Sequence, residues 1–265
     1  MSKVIVVTSG KGGVGKTTTV ANIGTGLALL NKKVVLLDAD IGLRNLDVVM
    51  GLENRIVYDL VDVVEGICKL RQALIRDKRF EELYLLPAAQ TKEKTAVTPE
   101  QMKELCDKLK QDFDYILIDC PAGIEHGFKN AVAGADNAII VTTPEVAAVR
   151  DADRIIGLLE ASELPGPKLV INRLRSDMVK KGDMMDIEDM IEILAIELLG
   201  VVPEDEKIVI STNKGEPAIS DPASKAGQAF RNISRRIEGE DVPLMNLEVE
   251  NSFMERLKIF FGLKR

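Results

Sequence analysis

The chain has 265 residues, 46% hydrophobic and 29% charged, with a formal net charge of −7. That is ordinary globular composition, long enough for one large α/β domain or two small ones whose core needs no staple. An acidic balance, no Trp and only 4% aromatics argue against broad nucleic-acid binding and against stacking on exposed bases.

Along the chain, short β-branched runs alternate with longer helical patterns. Residues 4–7 read as a strand, about 16–30 as a helix and 34–37 as a second strand ending at Asp38. Residues 83–86, 115–118, 138–141, 169–171 and 199–202 read as further strands. Helical patterns fill 99–110, 145–162 and 186–196. Continuous apolar strand runs fit strands buried on both faces of a parallel sheet. The alternation predicts a doubly wound, mostly parallel α/β sheet with helices on both faces.

Cys68, Cys106 and Cys120 form no C-x-x-C pair, so we read structural thiols in a reducing compartment. The N-terminus leads straight into a strand, and no apolar run has the length of a membrane span. The expectation is a cytoplasmic protein.

Residues Gly10, Lys11, Gly12, Gly13, Val14, Gly15, Lys16 and Thr17 fit G-x-x-x-x-G-K-[S/T]. Glycines let the backbone turn and aim its N–H groups at phosphate oxygens. The helix that follows adds its positive N-terminal end. Lys16 can reach the β and γ phosphates, and the Thr17 hydroxyl can bind magnesium. The motif is short, so context matters: a strand precedes the loop and a helix opens inside it. This is a P-loop nucleotide site.

Two acidic positions complete it. Asp119 ends the strand at 115–118, where a carboxylate faces the ligand crevice and can hold the magnesium shell. Asp38 and Asp40 end the strand at 34–37, and a period of two puts both on one side. One of them can orient the attacking water, while Asp38 can instead cap the strand end. The lone His126 lies near Asp119 in sequence. It reads as a surface or helix-start residue rather than a catalyst.

The loop has an extra lysine, Lys11, near its start. With Asp38-Ala39-Asp40 and Asp119-Cys120-Pro121-Ala122-Gly123, it resembles the ParA/MinD group of deviant P-loop ATPases. Within the group, 40–47, Pro144-Glu145-Val146 with Val149-Arg150-Asp151, 200–205 and 213–217 are similar to the MinD branch over nearly the whole chain. The resemblance implies an ATP-dependent homodimer with nucleotide between the subunits and Lys11 of each reaching the other's phosphates. It implies that Asp40 positions water and contacts the metal shell, with Thr17 and Asp119, and that Thr18 touches the α phosphate. Asn172 matches an adenine-reading position, and Pro203, Glu204 and Asp205 match a loop over the base. Arg173 follows Asn172 where a guanine reader would differ, so ATP is preferred to GTP. Slow, partner-stimulated hydrolysis is implied, with MinC as the division inhibitor recruited in septum placement and MinE, where present, as stimulator. Arg44, Arg150, Asp151 and Asp153 are the candidate partner surface, since both segments sit where nucleotide state can be felt.

Composition shifts near the end, dividing the chain into a P-loop domain at 1–238, an acidic linker at 239–251 and a tail at 252–265. The tail holds four Lys or Arg and one Glu, a net +3, which leaves −10 for the rest. At about 100° per residue, Phe253, Met254, Leu257, Phe260 and Phe261 share one side of a helix. Such a helix suits the interface of an anionic membrane, so the expected location is cytoplasmic and reversibly peripheral on the inner face of the cell membrane. The alternatives are a ParA-type DNA partition ATPase, opposed by the net charge and the tail, and an iron–sulfur carrier, opposed by the cysteine spacing.

Overall fold

The computed structural model describes residues 2–93, 95–164 and 166–247. The membrane candidates Phe253, Met254, Leu257, Phe260 and Phe261 lie outside the described residues.

The strands are β1 (Lys3–Thr8), β2 (Val34–Asp38), β3 (Ile75–Arg76), β4 (Leu83–Leu86), β5 (Tyr115–Asp119), β6 (Asn137–Thr142), β7 (Lys168–Leu174) and β8 (Glu197–Pro203). They form one sheet in the order β3-β4-β2-β5-β1-β6-β7-β8. Every pairing is parallel except β3 with β4. Side chains of successive residues go to opposite cores. Val4 and Val6 join one core, Ile5 and Val7 the other; Val35 and Leu37 oppose Val34 and Leu36 in the same way. The continuous apolar runs are therefore strands sandwiched on both faces.

The helices are α1 (Lys16–Leu29), α2 (Leu46–Val49), α3 (Leu60–Val64), α4 (Leu70–Ala73), α5 (Pro99–Leu109), α6 (His126–Ala133), α7 (Val146–Ala161), α8 (Ser176–Lys181), α9 (Ile187–Leu194), α10 (Glu206–Asn213) and α11 (Lys225–Ile237). α1, α2 and α11 cover one face, through Val20, Ile23, Leu27, Leu46, Met50, Phe230 and Ile233. α5, α6, α7 and α9 cover the other, through Met102, Leu105, Phe128, Ile155 and Met190. The four helices expected from the sequence stand within two residues of their expected ends. α9 stops early because Ala195 turns left-handed, at φ 51°, and the chain enters β8 at Glu197.

β1 lies between β5 and β6, while the chain runs first to β2 on one side and later to β7 and β8 on the other. A ligand crevice opens at the carboxyl ends of strands at such a point. The loop after β1 occupies it.

Residues 241–247 follow α11 without regular secondary structure. The Arg236 guanidinium donates to the carbonyls of Leu199 at 2.9 Å and of Val242 and Pro243 at 2.8 Å each. Met245 packs on one core and Leu247 on the opposite one, so the segment wraps the edge strand β8.

Candidate nucleotide site and family

The loop at 10–17 owes its shape to two glycines in the left-handed region, Gly13 at φ 80° and Gly15 at φ 98°. Gly15 caps α1 without a side chain, which leaves the first helical N–H groups to a ligand. Gly10 serves contact instead: a Cβ there would fall on the Asp151 backbone carbonyl. The second turn of α7 thus sits directly on the phosphate loop.

Lys16 is buried at 8% exposure, and its ammonium donates to the Ser9 hydroxyl at 2.8 Å. Ser9 in turn donates to the Lys11 carbonyl at 2.7 Å. Burial holds the Lys16 pKa below the usual ammonium value, while Asp119, Cys120 and Asp40 push it back up. Ser9 escaped the motif reading because it precedes the first glycine.

Asp119 is 2% exposed at the end of β5. Burial pushes its pKa above the carboxylate range and Asp38 adds to this; the Thr17 hydroxyl and Lys16 oppose it. Its Oδ1 is buried with no hydrogen-bond partner. A buried carboxylate oxygen left open beside a threonine hydroxyl fits a hard divalent cation with oxygen ligands.

Asp38 and Asp40 have different fates. Asp38 is fully buried and accepts N–H bonds from Asp40 at 2.9 Å and from Leu46 at 3.2 Å. It holds the backbone on either side of the turn that precedes α2. Burial raises its pKa, and the two amides oppose the rise. Asp40 is half-buried at the start of that turn, close enough for its charge to act on both Lys16 and Asp119. His126 is exposed at the first position of α6.

Lys11 is at the surface, 3.7 Å from Glu145 at the start of α7, with side chains 48% and 60% exposed. Such a pair is weak, and Lys11 is available to an outside partner. Thr18 lies half-buried in the first turn of α1.

The Asn172 side chain is 7% exposed and donates to the Val14 carbonyl at 2.8 Å, while its oxygen accepts the Arg173 N–H at 3.0 Å. A Cβ on Gly15 would fall on its amide nitrogen. Asn172 therefore ties β7 to the phosphate loop, a contact between residues 158 apart that no local motif reveals. Pro203 ends β8, and Glu204 is anchored by its N–H to the Leu174 carbonyl at 3.0 Å. The Asp205 carboxylate is spent on caps: it accepts from Lys207 N–H at 3.0 Å, Ser224 hydroxyl at 2.8 Å and Ala226 N–H at 3.1 Å. These bonds hold its pKa low against burial.

β2 and β6 lie on either side of β1, so the segments after them flank the loop. Arg44, after β2, pairs with the buried Asp47 at 2.9 Å. Arg150 and Asp153, on α7, are exposed, and Asp151 is half-buried against Gly10.

A family model described as an AAA domain matches residues 2–163. The septum site-determining protein MinD of Bacillus subtilis (strain 168) is 62% identical over 267 residues, 100% of each chain. This chain belongs to the MinD family of septum site-determining ATPases. Among solved structures, the MinC:MinD cell division protein complex of Aquifex aeolicus contains a chain 51% identical to this one. That match has a TM-score of 0.87 and covers 92% of this chain and 99% of that one. MinD of Pyrococcus horikoshii OT3, complexed with Mg-ADP, is 33% identical with a TM-score of 0.81, over 90% and 96% of the two chains. In this MinD-family chain, then, the P-loop fold read from the sequence is the observed one. Among the described residues, no helix is long and apolar enough to cross a membrane.

Proposed function

We propose that this chain is an ATP-driven switch that binds membranes peripherally and governs septum placement. ATP, with magnesium, occupies the crevice over residues 10–18. The bound nucleotide joins two copies face to face. The dimer presents two cationic amphipathic tails to anionic lipid on the cytoplasmic side and recruits MinC. Hydrolysis, stimulated by MinE where that partner exists, separates the copies and frees the membrane.

The observation that carries this reading is the cluster of the buried Lys16 and Asp119 with the half-buried Thr17 at the foot of the loop, with the Asp119 Oδ1 left open. Lys16 is positioned to neutralise the β and γ phosphates. Thr17 and Asp119 are the groups that would hold the magnesium shell, with Asp40 beside them. Magnesium, when bound, neutralises charge developing on the phosphate oxygens. Asp40 orients the attacking water, held in place by the bond from its N–H to Asp38. No strong base stands in the loop, which suits slow turnover awaiting a partner. Lys11, at the surface, supplies the partner copy's site with a cation as an arginine finger does. Asn172 and the loop 203–205 are assigned to the base on the strength of the family resemblance.

The Aquifex relative solved with MinC supports the choice of partner. The exposed Arg150 and Asp153, with Arg44 on the other flank, form the surface assigned to it. The membrane step rests on the tail's charge and apolar stripe. The gain from burying one stripe is comparable to the cost of ordering the tail, so one tail alone is marginal. A second tail on the same dimer binds almost intramolecularly and raises the affinity.

Sedimentation of the full chain with anionic liposomes tests the reading, with ATP, with ADP and without nucleotide. Pelleting is expected mainly with ATP, with MinC carried down alongside, and neither with Lys16→Ala. Equal pelleting in ATP and ADP would remove the switch. Undiminished MinC capture by Asp153→Arg would move the partner surface elsewhere.

A further inference from the structure

The stretch at 213–217 stands out in the sequence, yet the site described above makes no use of it. Its place in the fold gives it a use. Gly215 and Gly51 press their backbones together: a Cβ on Gly215 would lie 2.5 Å from the Gly51 Cα, and one on Gly51 would lie 2.7 Å from the Gly215 oxygen. Both residues are left-handed, at φ 65° and 62°. The end of α2 is thereby held against the end of α10.

Arg79 closes this junction. Its guanidinium donates to the Gly215 carbonyl at 2.7 Å and to the Met50 carbonyl at 2.5 Å. Its remaining donors engage Asp77, at 3.1 Å from Nε and 2.7 Å from Nη2. Asp77 is 2% exposed, so the fork is fixed from below by a buried carboxylate. A bidentate, charge-assisted arrangement of this kind sets direction as well as affinity.

The two elements that Arg79 joins differ in how firmly they are held. α10 starts at Asp205, whose carboxylate also binds Ser224 and Ala226 at the start of α11, and Lys207 on α10 pairs with Asp221 at 2.8 Å. α10 is thus part of the frame built on α11. α2 has only four residues. A helix so short does not hold itself in place. Its start is bound to Asp38 through the Leu46 N–H, and Asp38 also holds Asp40.

We propose that Arg79 is a positioning residue: by tying α2 to the α10–α11 frame, it fixes the segment that carries Asp40 over the phosphates. The proposal rests on the nucleotide-hydrolysing role assigned to the site above. It separates the two ends of the nucleotide. The loop at 203–205 is held by Asp205 without Arg79, so base-end binding is independent of the junction. The water-positioning end depends on it.

Arg79→Lys keeps a positive charge but cannot form the fork to two carbonyls and a carboxylate. We expect kcat for magnesium–ATP to fall by roughly tenfold, since small misplacement of a reacting group is costly. ADP affinity and KM should stay within about twofold, because a loss confined to the chemical step leaves ground-state binding intact. Hydrogen exchange should quicken at residues 46–52 and stay unchanged at 206–213. Arg236→Lys is the control, because Arg236 also clamps three carbonyls but at the β8 edge. It should lower the melting temperature and leave kcat alone. Wild-type kcat in Arg79→Lys overturns the proposal, as does an equal loss of kcat in Arg236→Lys at a matched melting shift. A wild-type chain that binds no nucleotide would overturn the hydrolytic role itself, a distinct result.

Discussion

Asn172 donates its side-chain amide to the Val14 carbonyl at 2.8 Å, so the phosphate loop is fastened to β7 before any nucleotide arrives. The base-reading role implied by the family resemblance therefore comes with a second one, keeping the loop in shape. Asn172→Ala removes that bond and opens space beside Gly15. A lost hydrogen bond of this kind is worth about 0.5–1.5 kcal/mol, roughly two- to tenfold in affinity. Calorimetry should show ATP and tripolyphosphate weakened alike. Weaker ATP with unchanged tripolyphosphate would return Asn172 to the base alone.

Asp119 sets a pH dependence of opposite sense to that of a salt-bridged carboxylate. Burial raises its pKa in the folded chain. At low pH the folded and unfolded chains are both protonated and no penalty exists. As pH rises past the ordinary carboxylate range, the unfolded chain loses its proton first, so stability falls until the folded carboxyl ionises as well. Asp119→Asn should therefore raise the melting temperature of the nucleotide-free protein more at pH 9 than at pH 5. Removing a buried charge that burial disfavours is on the order of 1–3 kcal/mol, with roughly 2–4 °C per kcal/mol at this size. The same variant should lose the magnesium-dependent part of ATP binding. Equal melting at both pH values would mean that the carboxyl is not strained.

These residues mark the limit of what was legible beforehand. The seven longer strands were readable because each is a continuous apolar run, the imprint of burial on both faces. β3 has two residues and leaves no period to read. α11 went unread because its buried side, Ala226, Ala229, Phe230 and Ile233, has only two large side chains among arginines and polar residues. The phosphate loop is local and was visible whole. The groups that hold it are not local: Asn172 meets Val14 across the chain, and Arg79 meets Gly215 from 136 residues away. Asp205 matched a base-covering position, yet its carboxylate is occupied by two helix starts.

Lys11 can be separated from Lys16 by experiment. Its contact with Glu145 is long and exposed, worth at most about 1 kcal/mol, so releasing it toward a partner costs little. Lys11→Ala should still bind ADP as a monomer and should lose ATP-dependent dimerisation. The reference is Asp40→Ala, which is expected to slow hydrolysis and accumulate the dimer on sizing chromatography. Glu145→Gln should dimerise normally. A Lys11→Ala protein that dimerises like the reference would show that the lysine acts only within its own subunit.

Removing residues 252–265 should leave a folded ATPase that no longer binds membranes. The cut leaves the described wrap around β8 untouched, including the bond from the Ser176 hydroxyl to the Leu247 carbonyl at 2.6 Å. The melting temperature should therefore change little. Phe260→Glu in the full chain should act like the deletion, because it sets a charge in the apolar stripe. Salt should weaken liposome binding only in part, since it screens the attraction of the +3 tail for anionic lipid but not the apolar term. Binding that vanishes entirely in salt would make the tail a purely electrostatic arm. A truncated chain that melts far lower would make the tail part of the core, and the membrane role would then need another surface.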